Sequence, residues 1–440
     1  MPERANDPVD KVRRLQRGLF VAAKRSPQRR FHALYDRICR GDVLAEAWKR
    51  VKANKGAAGV DRETLEAIER EGAEEFLLEV QQRLRTRRYW PHPVRRQYIA
   101  KPDGTKRPLG IPTVRDRVVQ AAAKLVIEPI FEADFKECSY GFRPKRSATD
   151  ALEAIRLAGN RGHRFVVDGD IQSYFDSIDH DKLLRLLERR ISDRRVVKLL
   201  RMWLKAGVLE EGTVRSSVLG TPQGGVISPL LANIYLDVLD SLWERRCRGI
   251  GKLVRYADDF VVLCPTRAQA EEAHRRLGLI MERLGLKLHP EKTRIVELGL
   301  GKQGFVFLGC YLRMVLSHFK KREYLFRWPS PKAMKRIRVR IRELTDRRRW
   351  AGMKNIKQAI EEVNPVLRGW SNYFRTGNAS LKFQQVDRYV TERLTRLVYR
   401  NHRVWRRPFR HRRWDITRFA SLGLHRLVGT IRYPASASQS

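Results

Sequence analysis

The chain has 440 residues, with 91 Lys and Arg against 49 Asp and Glu and a formal net charge of +42. It is long enough for a large core and two or three domains, and a charge excess that repels itself points to a polyanionic partner, nucleic acid first. The composition argues against a membrane protein, having no run of eighteen apolar residues and no lipidation signal, and against disulfides or a zinc site, because Cys39, Cys138, Cys247, Cys264 and Cys310 are scattered, odd in number and never spaced Cys-x-x-Cys.

The polar start, Met1 to Asp7, lacks an apolar signal core, which leads to the expectation of a cytoplasmic protein. Residues 1–95 alternate basic and apolar positions in helical fashion around a loop at Gly56-Ala57-Ala58-Gly59. Arg95 to Pro112 reads as a strand pair about the turn Pro102-Asp103-Gly104. A helix follows, marked by Val114, Val118, Val119, Ala122, Leu125 and Val126. Phe165-Val166-Val167 predicts a buried strand running into Asp170-Ile171, and Leu183, Leu184 and Leu187 a helix after it. Pro229 suits the first position of a helix whose apolar face is Leu230, Ile234, Leu239 and Trp243. A hairpin, a helix over Gln269 to Leu284, and short strands near Ile295 and Phe305 to Leu308 complete an α+β pattern without strict βα alternation. Beyond residue 313 the composition shifts to a basic helix expected over Lys332 to Trp350, with Ile337, Ile341 and Leu344 on one face and Lys335, Arg336, Arg338, Arg340 and Arg342 around it. A solvated charged face would explain such a run, but basic residues on both faces favour a helix that tracks phosphates. The tail adds Arg406-Arg407 and Arg410-His411-Arg412-Arg413 with Trp405 and Trp414, a mixture suited to phosphate contact and base stacking. Ala435 to Ser440 reads as disordered.

The chemistry centres on Tyr256-Ala257-Asp258-Asp259, set between the apolar runs Leu253-Val254 and Phe260 to Leu263. A hairpin tip with two adjacent acids is a solvated turn unless a cation neutralises them. Asp170 ends an apolar strand 88 positions earlier, and two neighbouring strands would bring it to Asp258. Three carboxylates of this kind suit a pair of Mg²⁺ ions about 3.5–4 Å apart, one lowering the pKa of a primer 3′-hydroxyl and the other holding the leaving pyrophosphate. No Walker-type phosphate loop is present, which argues against an ATPase. Gly220-Thr221-Pro222-Gln223-Gly224-Gly225, just before the Pro229 helix, is either a plain turn or a backbone that approaches a ligand closely. Among other acids, Asp168 could support Asp170, Asp176 is ambiguous, and Asp179 reads as the cap of the helix beginning at His180. His163, His180 and His289 show no ligand spacing.

These segments in this order resemble the reverse transcriptases, specifically the group II intron reverse transcriptase/maturases. The carriers are the Phe165 to Phe175 segment with Asp170, Thr-Pro-Gln-Gly-Gly, Tyr-Ala-Asp-Asp, and Leu288-His289-Pro290-Glu291-Lys292-Thr293, together with Lys101 to Pro112, Tyr140 to Pro144 and Leu367 to Phe374. The resemblance spans roughly residues 30 to 432. It implies a right-hand polymerase: an RNA-contacting extension and the start of the fingers over 1–95, fingers and a ferredoxin-like palm over 96–312, a helical thumb or maturase domain over 313–400, and a DNA-binding tail over 401–440. Asp170, Asp258 and Asp259 would hold two Mg²⁺ ions, with Mn²⁺ a workable substitute, helped by the carbonyl of Ile171. Lys101 and Arg107 would grip the incoming triphosphate, Gln223 would lie against nucleotide and template, and Phe175 would exclude a ribose 2′-hydroxyl. Lys292 matches a lysine thought to protonate pyrophosphate. Arg143, Lys335, Arg336, Arg338, Arg340, Arg342, Arg368, Trp370, Arg412 and Arg413 are the implied nucleic-acid contacts.

The family's activity implies RNA-directed DNA synthesis plus splicing and mobility of an intron, in a bacterial cytoplasm with nucleoid association on DNA. Partners would be intron RNA, an RNA template with a DNA or RNA primer, target DNA and dNTPs, with no membrane and the oligomeric state left open. No cysteine follows Cys310, so the paired cysteines of the family's nuclease module are lacking and the primer is expected from elsewhere. Two alternatives stand beside this: a domesticated reverse transcriptase of phage defence, repair or CRISPR spacer acquisition, and an RNA-binding splicing factor with a vestigial polymerase.

Overall fold

The computed structural model describes residues 8–100, 106–210, 213–215, 224–317, 321–350, 355–401 and 414–433. Helices α1 (Pro8–Arg25), α2 (Tyr35–Ile38), α3 (Gly41–Ala53), α4 (Leu65–Glu71) and α5 (Ala73–Arg85) open the chain, followed by strands β1 (Val94–Ala100) and β2 (Lys106–Ile111) and helices α6 (Val114–Glu132) and α7 (Ala148–Asn160). Next come β3 (Phe165–Gly169), α8 (Tyr174–Ser177), α9 (His180–Glu188), α10 (Arg194–Lys205), β4 (Val208–Glu210), β5 (Thr213–Arg215) and α11 (Ser228–Arg246). The hairpin of β6 (Lys252–Tyr256) and β7 (Asp259–Cys264) leads to α12 (Arg267–Leu284), β8 (Arg294–Glu297), β9 (Phe305–Phe307), β10 (Cys310–Ser317) and β11 (Arg322–Pro329). Helices α13 (Pro331–Leu344), α14 (Ile356–Phe374), α15 (Ser380–Asn401) and α16 (Ile416–Ser421) end the described chain. The fold is α+β with a helical C-terminal region. Its sheets run β2-β1-β4-β5, β6-β7-β3-β8 and β11-β10-β9.

Contacts divide the chain into two compact units, Met1–Arg146 with Gly169–Phe260 and Glu272–Thr293, and Ser147–Asp168 with Val261–Glu271 and Arg294–Ser440. In the first, α6 is the central helix, with α1 and α3 packed on it and nearly all its side chains buried. Thr113 caps it by accepting from Asp116 N, and the buried Asp116 carboxylate in turn takes Tyr89 Oη at 2.6 Å, Thr113 Oγ1 at 2.8 Å and His92 N at 3.1 Å. Three donors make a buried carboxylate tolerable next to the strand pair that precedes it. Asp179 caps α9 as expected, accepting from Lys182 N at 2.8 Å, and Pro229 sits in the first turn of α11.

In the second unit two expectations need correction. Across the expected start of a helical domain at 313, β10 and β11 pair antiparallel, in register from Cys310↔Pro329 to Ser317↔Arg322. Its inward positions alternate with a period of two, a strand pattern and not a helical one. The basic helix also stops at Leu344, six residues before Trp350, because Thr345 folds its hydroxyl back onto Ile341 O at 2.7 Å and Arg393 of α15 donates to Thr345 O at 3.1 Å. A guanidinium at that C-terminus satisfies a carbonyl that no further turn would reach. Its apolar face, Met334, Ile337, Ile341 and Leu344, is buried, so the helix is amphipathic and basic on its outer face alone. The described residues 423–428 are docked: Asp387 Oδ1 and Oδ2 each accept at 3.0 Å from Leu427 N and Val428 N, and Asn364 donates to Gly423 O and accepts from His425 N, both at 2.8 Å.

Candidate active site

β6 ends at Tyr256, Ala257 turns with a φ of 57°, and Asp259 opens β7 with its side chain exposed before the buried run Phe260 to Cys264. The backbone at Ala257 lies in the left-handed region that side chains with a Cβ rarely adopt, so something must hold it there. Two contacts do. Gly141 packs so closely on the Ala257 amide that a Cβ would collide with it. Arg255, wholly buried, donates from Nη1 to Ala257 O at 2.9 Å. The same guanidinium bonds Asn233 Oδ1 at 2.9 Å and Ser139 Oγ at 2.7 Å, and makes a two-pronged ion pair with the equally buried Asp240, Nε to Oδ1 at 2.8 Å. Asn233 Nδ2 closes the cage by donating to Gly141 O at 2.8 Å. Burial opposes the charge on Arg255, but the Asp240 carboxylate outweighs it and keeps the guanidinium protonated. This cage escaped the sequence reading, although a charged residue inside Leu253-Val254-Arg255 was a visible signal.

Asp170 follows β3 directly, and the residues flanking the acids touch: Gly169 lies so tightly against the Phe260 ring that no Cβ would fit. Asp170 and the Asp258-Asp259 turn are thereby brought to one end of neighbouring strands. Asp170 is also tied to the segment after α12. Its carbonyl accepts from His289 N at 2.8 Å, its amide donates to Thr293 Oγ1 at 3.4 Å, and its Oδ2 lies 3.0 Å from Lys292 Nζ. Ile171 bridges Leu288 antiparallel through bonds made by its neighbours, Asp170 O and Gln172 N, which turns its own carbonyl to the other edge of the strand. Phe175 is half-buried on α8 and meets Tyr174 edge-on with centroids 5.3 Å apart. Tyr174 is anchored by its hydroxyl, which donates to Ala232 O at 2.6 Å, and burial pushes its phenol far above the usual range, so it stays a neutral donor. Phe142, 54% exposed and with a φ of 55°, faces Tyr256 at 6.4 Å between centroids, a second aromatic beside the acids that the sequence reading did not single out.

Other expected site residues separate into three groups. Lys101, Gln223, Arg412 and Arg413 lie outside the described residues, and of Arg107 only the backbone is described, opposite Ile99. Lys335, Arg336, Arg338, Arg340, Arg342 and Arg368 are exposed, with Arg340 paired to Glu343 at 3.0 Å. Arg143 is a correction, and Trp370 is half-buried. Arg143 is buried, paired with Glu132 at 2.7 Å and donating to the carbonyls of Lys136 and Ser139, so its donors are spent on the fold. One part of the Trp370 ring packs against Phe374 and Phe383, with centroids 4.8 and 5.5 Å away. Asp168 pairs with Arg294 at 3.7 Å.

Among the described residues no group of three or more His, Cys, Asp and Glu stands close enough to hold a metal. The donors at the strand ends are carboxylates and the Ile171 carbonyl, hard oxygens that suit Mg²⁺, an ion that binds through one or two carboxylates plus substrate phosphates.

Two family models match the chain: reverse transcriptase (RNA-dependent DNA polymerase) over residues 99–312, and the group II intron maturase-specific domain over residues 334–418. Protein YkfC of Escherichia coli K12 is 36% identical over 360 residues, which cover 73% of this chain and 93% of YkfC. The group II intron-encoded protein LtrA of Lactococcus lactis subsp. cremoris is 42% identical over 213 residues, 48% of this chain but only 35% of LtrA. A 91 kDa protein in the cob intron of Schizosaccharomyces pombe is 29% identical over 415 residues, half of its own length.

Proposed function

Because the chain belongs to the group II intron-type reverse transcriptase/maturase family and carries an RNA-directed DNA polymerase domain, we propose that it copies RNA into cDNA and binds intron RNA in support of splicing and mobility. The observation that supports this reading is that Asp170 follows β3 directly while the Asp258-Asp259 turn opens the neighbouring β7, with Gly169 packed on the Phe260 ring and Arg255 bonded to the Ala257 carbonyl. Asp170, Asp258, Asp259 and the Ile171 carbonyl are the groups that would hold Mg²⁺. Bound there, the metal would supply Lewis-acid polarisation of phosphoryl oxygens and a lowered pKa for a coordinated hydroxyl.

The protein's own groups divide the remaining work. Lys101 and Arg107 would hold the triphosphate, where fixed cations oppose charge that develops in the transition state. Gln223 would pack on nucleotide and template. The Phe175 ring, braced by Tyr174, fills the space a ribose 2′-hydroxyl would need. Lys292, 3.0 Å from Asp170, stands where it can give a proton to departing pyrophosphate while balancing the carboxylate charge. The net charge of +42 supports RNA and target DNA as partners.

Primer extension on poly(rA) with oligo(dT), dTTP and Mg²⁺, wild type beside Asp258→Ala, tests this. Extension by the wild type alone, with RNA affinity unchanged in the variant, is expected. No extension by either protein, with tight RNA binding retained, would leave an RNA-binding splicing factor instead.

A further inference from the structure

The second unit contains a groove of about 580 Å³ lined by none of the residues described at the acids, within the usual range of ligand pockets, roughly 300–1,000 Å³. One wall is an aromatic pair. Tyr311 and Trp328 are partners across the β10–β11 ladder, with ring centroids 5.5 Å apart, and the Tyr311 hydroxyl is fixed by accepting from Gly304 N at 2.9 Å. The second wall is α13, which lines the groove with Lys335, Arg338 and Arg342. Their spacing of three and then four places them on one helix face. The third is α15, where Gln385 and Tyr389 line the groove one turn apart, with the Arg338 guanidinium 6.0 Å from the Tyr389 ring centroid.

No acidic side chain is among the described residues lining this groove. Arg340 on the same helix has Glu343 to balance it, whereas the four cations lining the groove, Lys382 of α15 included, share it with aromatic rings and an amide. Like charges gathered without a counter-charge are self-repulsive and favour an anionic occupant. Aromatic faces between them favour a flat, apolar one. A phosphodiester with an unstacked base has both properties.

We propose that this groove binds one unpaired nucleotide of a bound nucleic-acid strand, its base stacked on Tyr389 with Gln385 beside the base edge and its flanking phosphates on Lys335, Arg338 and Arg342. The site rests on the nucleic-acid reading above and adds to it a preference for a bulged or looped nucleotide over continuous duplex. A base already outside the helix carries no unpairing cost, so bulges bind best.

The test uses the full chain, an RNA hairpin with a single bulged 2-aminopurine, the same hairpin fully paired, and DNA counterparts of both. Wild type should bind the bulged RNA more tightly and quench its fluorescence. Tyr389→Ala should weaken bulged binding by roughly 5- to 150-fold, the span of one base–aromatic stack, and remove the quench, with little change for the paired hairpin. Tyr389→Phe should restore both. Lys335→Ala should weaken bulged and paired hairpins alike and lower the salt slope by about 1. A bulge preference on the DNA hairpin as well would extend the site to either strand type. Equal binding of bulged and paired hairpins, or a Tyr389→Ala loss shared equally between them, overturns the groove site alone. Failure of the wild type to bind any of the four overturns the nucleic-acid reading with it.

Discussion

Arg255→Met is the sharpest probe of how the catalytic turn is held. The substitution keeps most of the volume but removes all the guanidinium donors from a cage whose members are buried, leaving Asp240 as an uncompensated interior carboxylate. Breaking a buried pair in this way costs about 3–5 kcal/mol. Set against a typical total of about 5–15 kcal/mol, that is about a fifth or more of the stability available. Replacing both partners, Arg255→Met with Asp240→Leu, removes the stranded charge and should recover more than half of the loss. It does not return the bond from Nη1 to Ala257 O, the carbonyl immediately before Asp258. Misplacement of a catalytic group by about 1 Å can cost about 100-fold in rate, so the double variant should be folded yet slow. Guanidinium unfolding followed by tryptophan fluorescence reads the first effect, and single-nucleotide primer extension the second. A single variant within about 1 kcal/mol of wild type would contradict the buried-pair argument. A double variant extending primer within about threefold of wild type would show that the cage does not position Asp258.

Phe175→Ala should open the space beside the sugar and reduce discrimination between dTTP and UTP by about 10- to 100-fold, read as the ratio of their kcat/KM values; an unchanged ratio removes the gate assignment. Lys292→Ala breaks an ion pair whose lysine side chain is 63% exposed, so stability should move by less than about 1 kcal/mol while kcat falls roughly 100-fold; a change confined to KM would count against proton donation. Burial and the nearby Asp240 push the Asp237 carboxyl up from 3.8 to about 7. A folded acid that holds its proton more tightly than the unfolded chain is stabilised on acidification through that window and penalised above it. Asp237→Asn should therefore raise the melting temperature more at about pH 8 than at about pH 6, with an upper bound of about 4 kcal/mol; equal gains at both would refute the burial argument.

The strands and helices that carry the acids were legible because each has a short-range signature. Asp170 closes a β-branched run, Pro229 marks a first helical turn, and Asp179 precedes a helix it caps. What escaped depends on partners distant in sequence. Arg255 is an odd charge in a strand until Asn233, Asp240 and Ser139 are seen around it, and Arg143 looks like a phosphate contact until Glu132 occupies it. The β10–β11 hairpin lies across the 313 boundary from which the resemblance implied a helical domain, although the alternation of its buried positions already has the strand period. The end of α13 at Leu344 is likewise set by Arg393, which is 48 residues away.

The docking of the last described residues bears on how shortened forms should be interpreted. Asp387 is buried, a setting that raises its carboxyl pKa, and its two oxygens are served by the backbone amides of Leu427 and Val428. A protease cut or a stop codon before Leu422 would strip those donors away, together with both partners of Asn364, and leave an interior acid with nothing to answer it. Lost target binding in such a truncation would then reflect a loosened helical domain as much as missing basic residues. Charge-neutralising substitutions that keep residues 422–433 in place would separate the two effects, where deletion would merge them.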